Sequence, residues 1–198
     1  GDGFSDTIQN PSHLYSAPGA YNVQLAVVYD SVYGYPCIDS FTIPVNIQPF
    51  PVAAFTAPNG CFNNITYFTD QTTIANGTIT NWNWNFGDGT DTLMQNPSHT
   101  YNTPGTFTVT LITTSSFGCT DTLQQTVIVY PVPVASFSVT IVCIGNPTSF
   151  TDLTTITSGT IISWGWNFDD PNSGPNNISN AQNPTHTYTN NARCRIRR

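Results

Sequence analysis

The sequence has no lysine and no glutamate, and its four arginines, Arg193, Arg195, Arg197 and Arg198, all fall at the very end of the chain. Its 11 acidic residues are all aspartate, so everything up to Ala192 carries negative charge only, and the 198-residue whole has a formal net charge of −7. Side-chain ion pairs in that body are confined to protonated histidine. Nucleic-acid binding is excluded for it, because displacing phosphate counterions requires Lys or Arg. Attraction to anionic membranes fails for the same reason. No apolar run reaches the roughly 18 residues of a membrane-spanning helix. There is no initiator Met or signal peptide, and the chain begins inside a repeated motif, which predicts that the natural start lies elsewhere.

The scarcity extends to the residues that build helices. Glu and Lys are missing, Arg is confined to the tail and Met occurs once. In their place stand 31 threonines and 21 asparagines among Val, Ile, Phe, Tyr and Trp. Such residues suit half-buried strands and the turns between them. The composition predicts an all-β chain.

Comparing the chain with itself exposes its organisation. Asn10-Pro11-Ser12-His13 recurs as Asn96-Pro97-Ser98-His99 and again as Asn183-Pro184-Thr185-His186. Gly1-Asp2-Gly3 recurs as Gly87-Asp88-Gly89, and Trp82-Asn83-Trp84-Asn85-Phe86 as Trp164-Gly165-Trp166-Asn167-Phe168. Cys37 and Cys119, like Cys61 and Cys143, keep the same spacing. These markers divide the chain into a partial repeat at 1–50, a complete repeat at 51–132, a partial repeat at 133–192 and an atypical basic tail at 193–198. Pro-rich joints, Gln48-Pro49-Phe50-Pro51 and Tyr130-Pro131-Val132-Pro133, separate the repeats and favour extended, fairly stiff linkers between beads.

Within the complete repeat, Trp82, Trp84 and Phe86 occupy alternate positions and face one side of a strand. Phe107, Val109 and Leu111 do the same, with Thr106, Thr108 and Thr110 opposite. Val127 and Val129 continue the pattern. Ala53 and Phe55 open the repeat, and Ile65, Tyr67 and Phe68 mark another short strand. About seven short strands, with turn signals every 8–12 residues, predict a two-sheet sandwich with the aromatics inside.

At these residues the chain resembles the PKD (polycystic kidney disease) domains, which are Ig-like β-sandwiches. The resemblance rests on Trp84-Asn85-Phe86-Gly87-Asp88-Gly89, then Asn96-Pro97-Ser98-His99-Thr100-Tyr101, then Pro104-Gly105-Thr106-Phe107-Thr108-Val109-Thr110-Leu111. It covers the whole complete repeat. The first repeat carries the later part of the pattern, and the third the earlier part with Asp169-Asp170-Pro171 in place of Gly-Asp-Gly, which predicts a different turn there. The resemblance implies tandem Ig-like β-sandwich repeats and a non-catalytic extracellular module, of the kind found in bacterial surface proteins and beside secreted hydrolase domains. The Cys-containing, Asn/Thr-rich form looks like large secreted proteins of Bacteroidetes-type bacteria.

The chemistry-bearing residues are few. His13, His99 and His186 are one position repeated, so they cannot converge on a metal or a catalytic pair within one repeat; each is expected to bond a neighbouring turn. No Ser/His/Asp or Cys/His arrangement can be assembled, and no Glu exists for acid–base work. Calcium is the one cofactor the sequence admits, at Asp88 and Asp91, since hard oxygen ligands suit it, but two carboxylates without an EF-hand spacing read more simply as turn-formers. Asp70 and Asp121 are expected in turns. The cysteine spacing supplies no zinc site and suggests one disulfide per repeat, Cys61 with Cys119. Trp82 and Trp164 are expected in the core rather than on a sugar-stacking platform. The tail with Cys194 reads as an unrelated fragment end or a basic tail with its own role. Together these features predict a structural or adhesive spacer of a secreted or cell-surface bacterial protein. Its partners would be other repeats and an extracellular protein or polysaccharide. The alternative is an accessory substrate-binding module of a secreted protease or polysaccharide-degrading enzyme. Complementary halves at the two ends also raise strand exchange between chains.

Overall fold

The structure, a computed structural model, describes residues 1–30 and 34–188. The basic tail, Cys194 and the end of the third repeat lie outside the described residues. The described chain is all-β except for one 3-10 segment, Pro171–Asn177. In the first repeat, β1 (Gly19–Asp30) and β2 (Pro36–Ile47) form an antiparallel hairpin in register from Gly19 opposite Ile47 to Asp30 opposite Pro36.

The complete repeat holds β3 (Phe55–Thr56), β4 (Gly60–Cys61), β5 (Thr66–Tyr67), β6 (Thr69–Asp70), β7 (Ile79–Asn85), β8 (Asp91–Thr92), β9 (Ser98–His99), β10 (Gly105–Ser115) and β11 (Thr120–Tyr130). One sheet runs in the order β4-β11-β10-β7-β8, while β3 pairs with β6 and β5 with β9. The early strands are short because the chain changes partner at Phe68: β5 pairs with β9, β6 pairs with β3, and between them the Phe68 N–H donates to the Pro97 carbonyl at 2.9 Å. The third repeat contains β12 (Phe137–Val139), β13 (Thr148–Asp152), β14 (Trp166–Asn167), β15 (Ile178–Ser179) and β16 (Thr185–His186), ordered β12-β13-β16 and β14-β15.

Alternation places the core. Trp84, Val109, Leu111 and Val127 are buried, and the rings of Phe55, Phe68, Trp84 and Phe86 meet with centroids 5.0–5.6 Å apart along the chain Phe55–Trp84–Phe68–Phe86. Two expectations change here. Thr66 and Phe68 point inward, so Ile65 and Tyr67, although in or beside β5, are exposed at 55% and 64%. Trp82 is only half-buried, and its indole turns to a polar partner described below.

The first and third repeats leave the equivalent side chains open. Val23 and Leu25, counterparts of the fully buried Val109 and Leu111, are 39% and 63% exposed. Phe137, counterpart of Phe55, is 56% exposed. Compactness does not follow the repeat boundaries either. Gly1–Pro58, Ile65–Thr100 and Thr106–Val127 form one compact unit; Asn59–Asn64, Tyr101–Gly105 and the chain from Ile128 onward form the other.

The expected bond between Cys61 and Cys119 is absent: Cys37, Cys61, Cys119 and Cys143 are free thiols. The register explains why. β4 lies parallel to the far end of β11, with Cys61 opposite Tyr130, whereas Cys119 immediately precedes the start of β11. At about 3.3 Å per residue the two sit roughly 35 Å apart, against the about 4.4–6.8 Å between Cα atoms that a disulfide needs.

Candidate functional site

The signature residues converge on two polar clusters that link distant parts of the complete repeat. The first is built on Asp88. Gly87, at φ +81°, turns the chain after Phe86, and the Asn85 side chain accepts the Gly87 N–H at 2.9 Å. This aims Asp88 across the turn. Its Oδ1 accepts the Thr90 hydroxyl at 2.6 Å and the Thr90 N–H at 3.1 Å, and its Oδ2 accepts from His99 Nε2 at 2.7 Å. The His99 ring lies flat on Phe86, with centroids 4.3 Å apart and the planes parallel at 0°. Burial works to raise the Asp88 carboxyl, but the Thr90 hydroxyl, the His99 ring and the Thr90 N–H outweigh it and hold it below its ordinary range.

The same pair recurs in both flanking repeats. His13 Nε2 meets Asp2 Oδ2 at 2.6 Å, and its ring stacks on Phe4 at 4.6 Å, so Phe4 fills the place taken elsewhere by Phe86. The His13 bond and the Phe4 N–H lower the Asp2 carboxyl. In the third repeat His186 Nε2 meets Asp170 Oδ2 at 3.2 Å and stacks on Phe168 at 4.4 Å. The turn there is indeed different. Asp169 takes the left-handed position of Gly87 at φ +56°, residues 171–176 loop out in the 3-10 segment, and Asn177 resumes where Thr90 stands. The carbonyl of Asn177 accepts the Phe168 N–H at 2.9 Å, as that of Thr90 accepts the Phe86 N–H at 3.1 Å.

The second cluster is built on Asp70, which lies in β6 rather than in the turn expected for it. Its Oδ2 accepts the Trp82 indole N–H at 2.7 Å and the Gln95 amide at 3.1 Å; its Oδ1 accepts the Thr72 N–H at 3.0 Å. Asn96 closes the cluster by accepting the Asp70 N–H at 2.9 Å. Asp152 repeats it with Trp164 at 2.9 Å, Gln182 at 3.2 Å, Thr154 at 3.0 Å and Asn183 at 2.8 Å. The Thr154 side chain and N–H, with help from Trp164 and Gln182, hold the Asp152 carboxyl down at about 2. Asp121 likewise leaves its expected turn: it lies in β11, and its Oδ2 accepts the Ala53 N–H at 2.8 Å.

The remaining motif residues serve the same framework. The buried Trp84 donates its indole N–H to the Met94 carbonyl at 2.9 Å. Pro97 is buried and supplies the carbonyl that Phe68 uses. Tyr101 is buried, Pro104 is exposed and Gly105 opens β10. Gly89, at φ +90°, completes the turn after Asp88.

Among the described residues no group of three or more His, Cys or Asp side chains could hold a metal. The calcium candidates do not form a cage. Asp88 spends both oxygens on Thr90 and His99, and Asp91 is exposed in β8, opposite Asn85. The Thr90 hydroxyl lies 3.5 Å from the His99 ring nitrogen and already donates to Asp88.

The spacing of Trp84, Gly87, Asp88, Asn96, Pro97 and His99 is that of one family, and residues 48–130 match its model, described as "PKD domain". Residues 48–130 are a PKD domain. PKD domains are Ig-like β-sandwich modules without catalytic residues of their own. The chain is 32% identical over 88 residues to a microbial collagenase of Vibrio alginolyticus, covering 44% of this chain and 11% of that protein. It is 43% identical over 54 residues to Collagenase ColA of Bacillus cereus, covering 27% of this chain and 6% of that protein. It therefore spans about a tenth or less of the length of these relatives. Among solved structures, the PKD1 domain of Vibrio anguillarum Epp aligns with a TM-score of 0.40 at 27% identity, over 41% of this chain and 95% of that one. The PKD1 domain of the Vibrio cholerae metalloprotease PrtV aligns with a TM-score of 0.38 at 30% identity, over 40% and 96%.

Proposed function

We propose that the chain is a non-catalytic spacer and contact segment of an extracellular bacterial protein. The observation that carries this reading is the threefold Asp–His–aromatic constellation. Wherever it recurs, its titratable groups are bonded within their own repeat and serve the fold. The exposed sheet face around Thr108, Asn83 and Gln124 offers mainly hydroxyls and amides, with the Asp91 carboxylate at its β8 edge, which suits contact with a polar polymer that carries little negative charge. Net negative charge would keep neighbouring molecules apart.

A second reading, an accessory module of a secreted hydrolase, is favoured by the collagenase relatives. Two assays on the purified chain test both. Incubation with gelatin, casein and chitin should release no products; release that His99→Ala abolishes would overturn the non-catalytic reading. Co-sedimentation with fibrillar collagen, chitin and cellulose separates the alternatives, since retention on one substrate favours the accessory role and retention on none favours the spacer.

A further inference from the structure

We propose that the two recurring cysteine positions form disulfides across the joints between consecutive repeats, each bond joining the trailing end of one repeat to the leading end of the next. Residues 53–61 run alongside β11 in the same direction. At its leading end the Ala53 N–H donates to Asp121 at 2.8 Å, and further along the Gln125 amide donates to the Phe55 carbonyl at 3.3 Å. At the trailing end the Ile128 N–H donates to the Asn59 side chain at 2.8 Å, and Cys61 stands opposite Tyr130. Cys119, two residues ahead of Asp121, is thus level with Pro51 at the leading end, while Cys61 borders the joint that starts at Pro131.

The third repeat opens as the second does. Val134 exchanges two backbone hydrogen bonds with Thr155, at 2.8 and 3.1 Å, as Val52 does with Thr73 at the same distances. A third-repeat counterpart of Cys119 would therefore stand level with Pro133. Only Tyr130-Pro131-Val132-Pro133 separates it from Cys61, a span of at most roughly 10 Å when extended, so the bond requires the joint to bend by a few ångströms at Pro131 or Pro133. Asn59–Asn64 already belongs to the same compact unit as the chain from Ile128 onward.

This arrangement accounts for the thiols of the present chain. Within these 198 residues the first repeat has Cys37 but no counterpart of Cys61, and no second Gly-Cys-Thr-Asp follows Tyr188, so they do not include the proposed across-joint partners of Cys61 and Cys119. The proposal rests on the extracellular reading, because such bonds persist under oxidising conditions. With oxidised glutathione as oxidant, two cysteine thiols lose their protons and form one S–S bond. The glutathione disulfide is cleaved and reduced to two molecules of glutathione.

The test extends the chain after Tyr188 with a copy of residues 102–132, which completes the third repeat and supplies a copy of Cys119. After oxidation by glutathione disulfide, non-reducing peptide mapping should find Cys61 bonded to the copied cysteine and Cys143 free. Cys61→Ser should abolish the bond and Cys143→Ser should leave it intact. A bond from Cys143 to the copied cysteine, or none in an extended repeat shown to be folded by its tryptophan near-UV signal, would overturn the proposal. If the added half does not fold, Gln48→Cys in the original chain places a thiol at the trailing end of the first repeat. It should then bond to Cys119, and a Cys119 that stays free overturns the proposal.

Discussion

At Gly87 the backbone φ is +81° and a Cβ would meet the Thr108 carbonyl oxygen at 2.5 Å, whereas at Gly89, at φ +90°, nothing lies within 4 Å. Both positions disfavour a side chain, but only Gly87 also has a strand passing over it. Gly87→Ala should therefore cost more than about 2 kcal/mol and Gly89→Ala about 1 kcal/mol, read from urea denaturation midpoints. Equal costs would mean that the turn relaxes away from β10. Asp152 gives a pH-dependent counterpart. Its folded carboxyl lies at about 2 against an ordinary 3.8, so its stabilisation is present above about pH 4 and is lost as pH falls towards 2. Asp152→Asn should lower the melting temperature at pH 7 and leave it close to that of the native chain at pH 2; a gap that persists at pH 2 would assign the loss to packing instead.

At the scale of the element, Asp70 holds the Trp82 indole of β7, Gln95 of the loop before β9, and its own turn at Thr72. Asp70→Ala leaves a half-buried indole N–H without its acceptor, at a cost of roughly 1–3 kcal/mol, and should shift the tryptophan emission of β7. Truncation of Trp84, which is fully buried, should cost more, about 3–5 kcal/mol. The alternation of Trp82, Trp84 and Phe86 made β7 and its inward face readable from the sequence, and the Gly-Asp-Gly and Asn-Pro-Ser-His letters picked out both ends of the Asp88–His99 bond. Asp70 was harder to see because its partners lie 12 and 25 residues away and no periodicity links them. The signal that could have found it is that Asp152 stands the same 12 residues before Trp164. The cysteines misled for a related reason. Equal spacing shows that two thiols are equivalent between repeats, but only the β4–β11 register shows that Cys61 and Cys119 occupy opposite ends of one strand.

Across the described residues the three repeats share the Asp–His pair but not one degree of closure. The β1–β2 hairpin has a full ladder, yet Leu25, Val27 and Phe41 remain more than half exposed, and a two-stranded ribbon on its own is marginally stable. Its amides should exchange with solvent at least about 100-fold faster than those of β10, measured by hydrogen–deuterium exchange, because local opening there exposes little additional apolar surface. Comparable protection in both would show that the hairpin face is covered in solution. The parallel run of residues 53–61 beside β11 has a mechanical consequence. Tension applied through the two ends of the complete repeat pulls these segments in opposite directions along their shared axis. The bonds from Ala53–Asp121 to Cys61–Tyr130 are then loaded together in shear rather than opened one after another like a zipper. Single-molecule stretching should accordingly show the complete repeat yielding at higher force than the hairpin, and Asp121→Ala, which removes the first of those bonds, should lower that force.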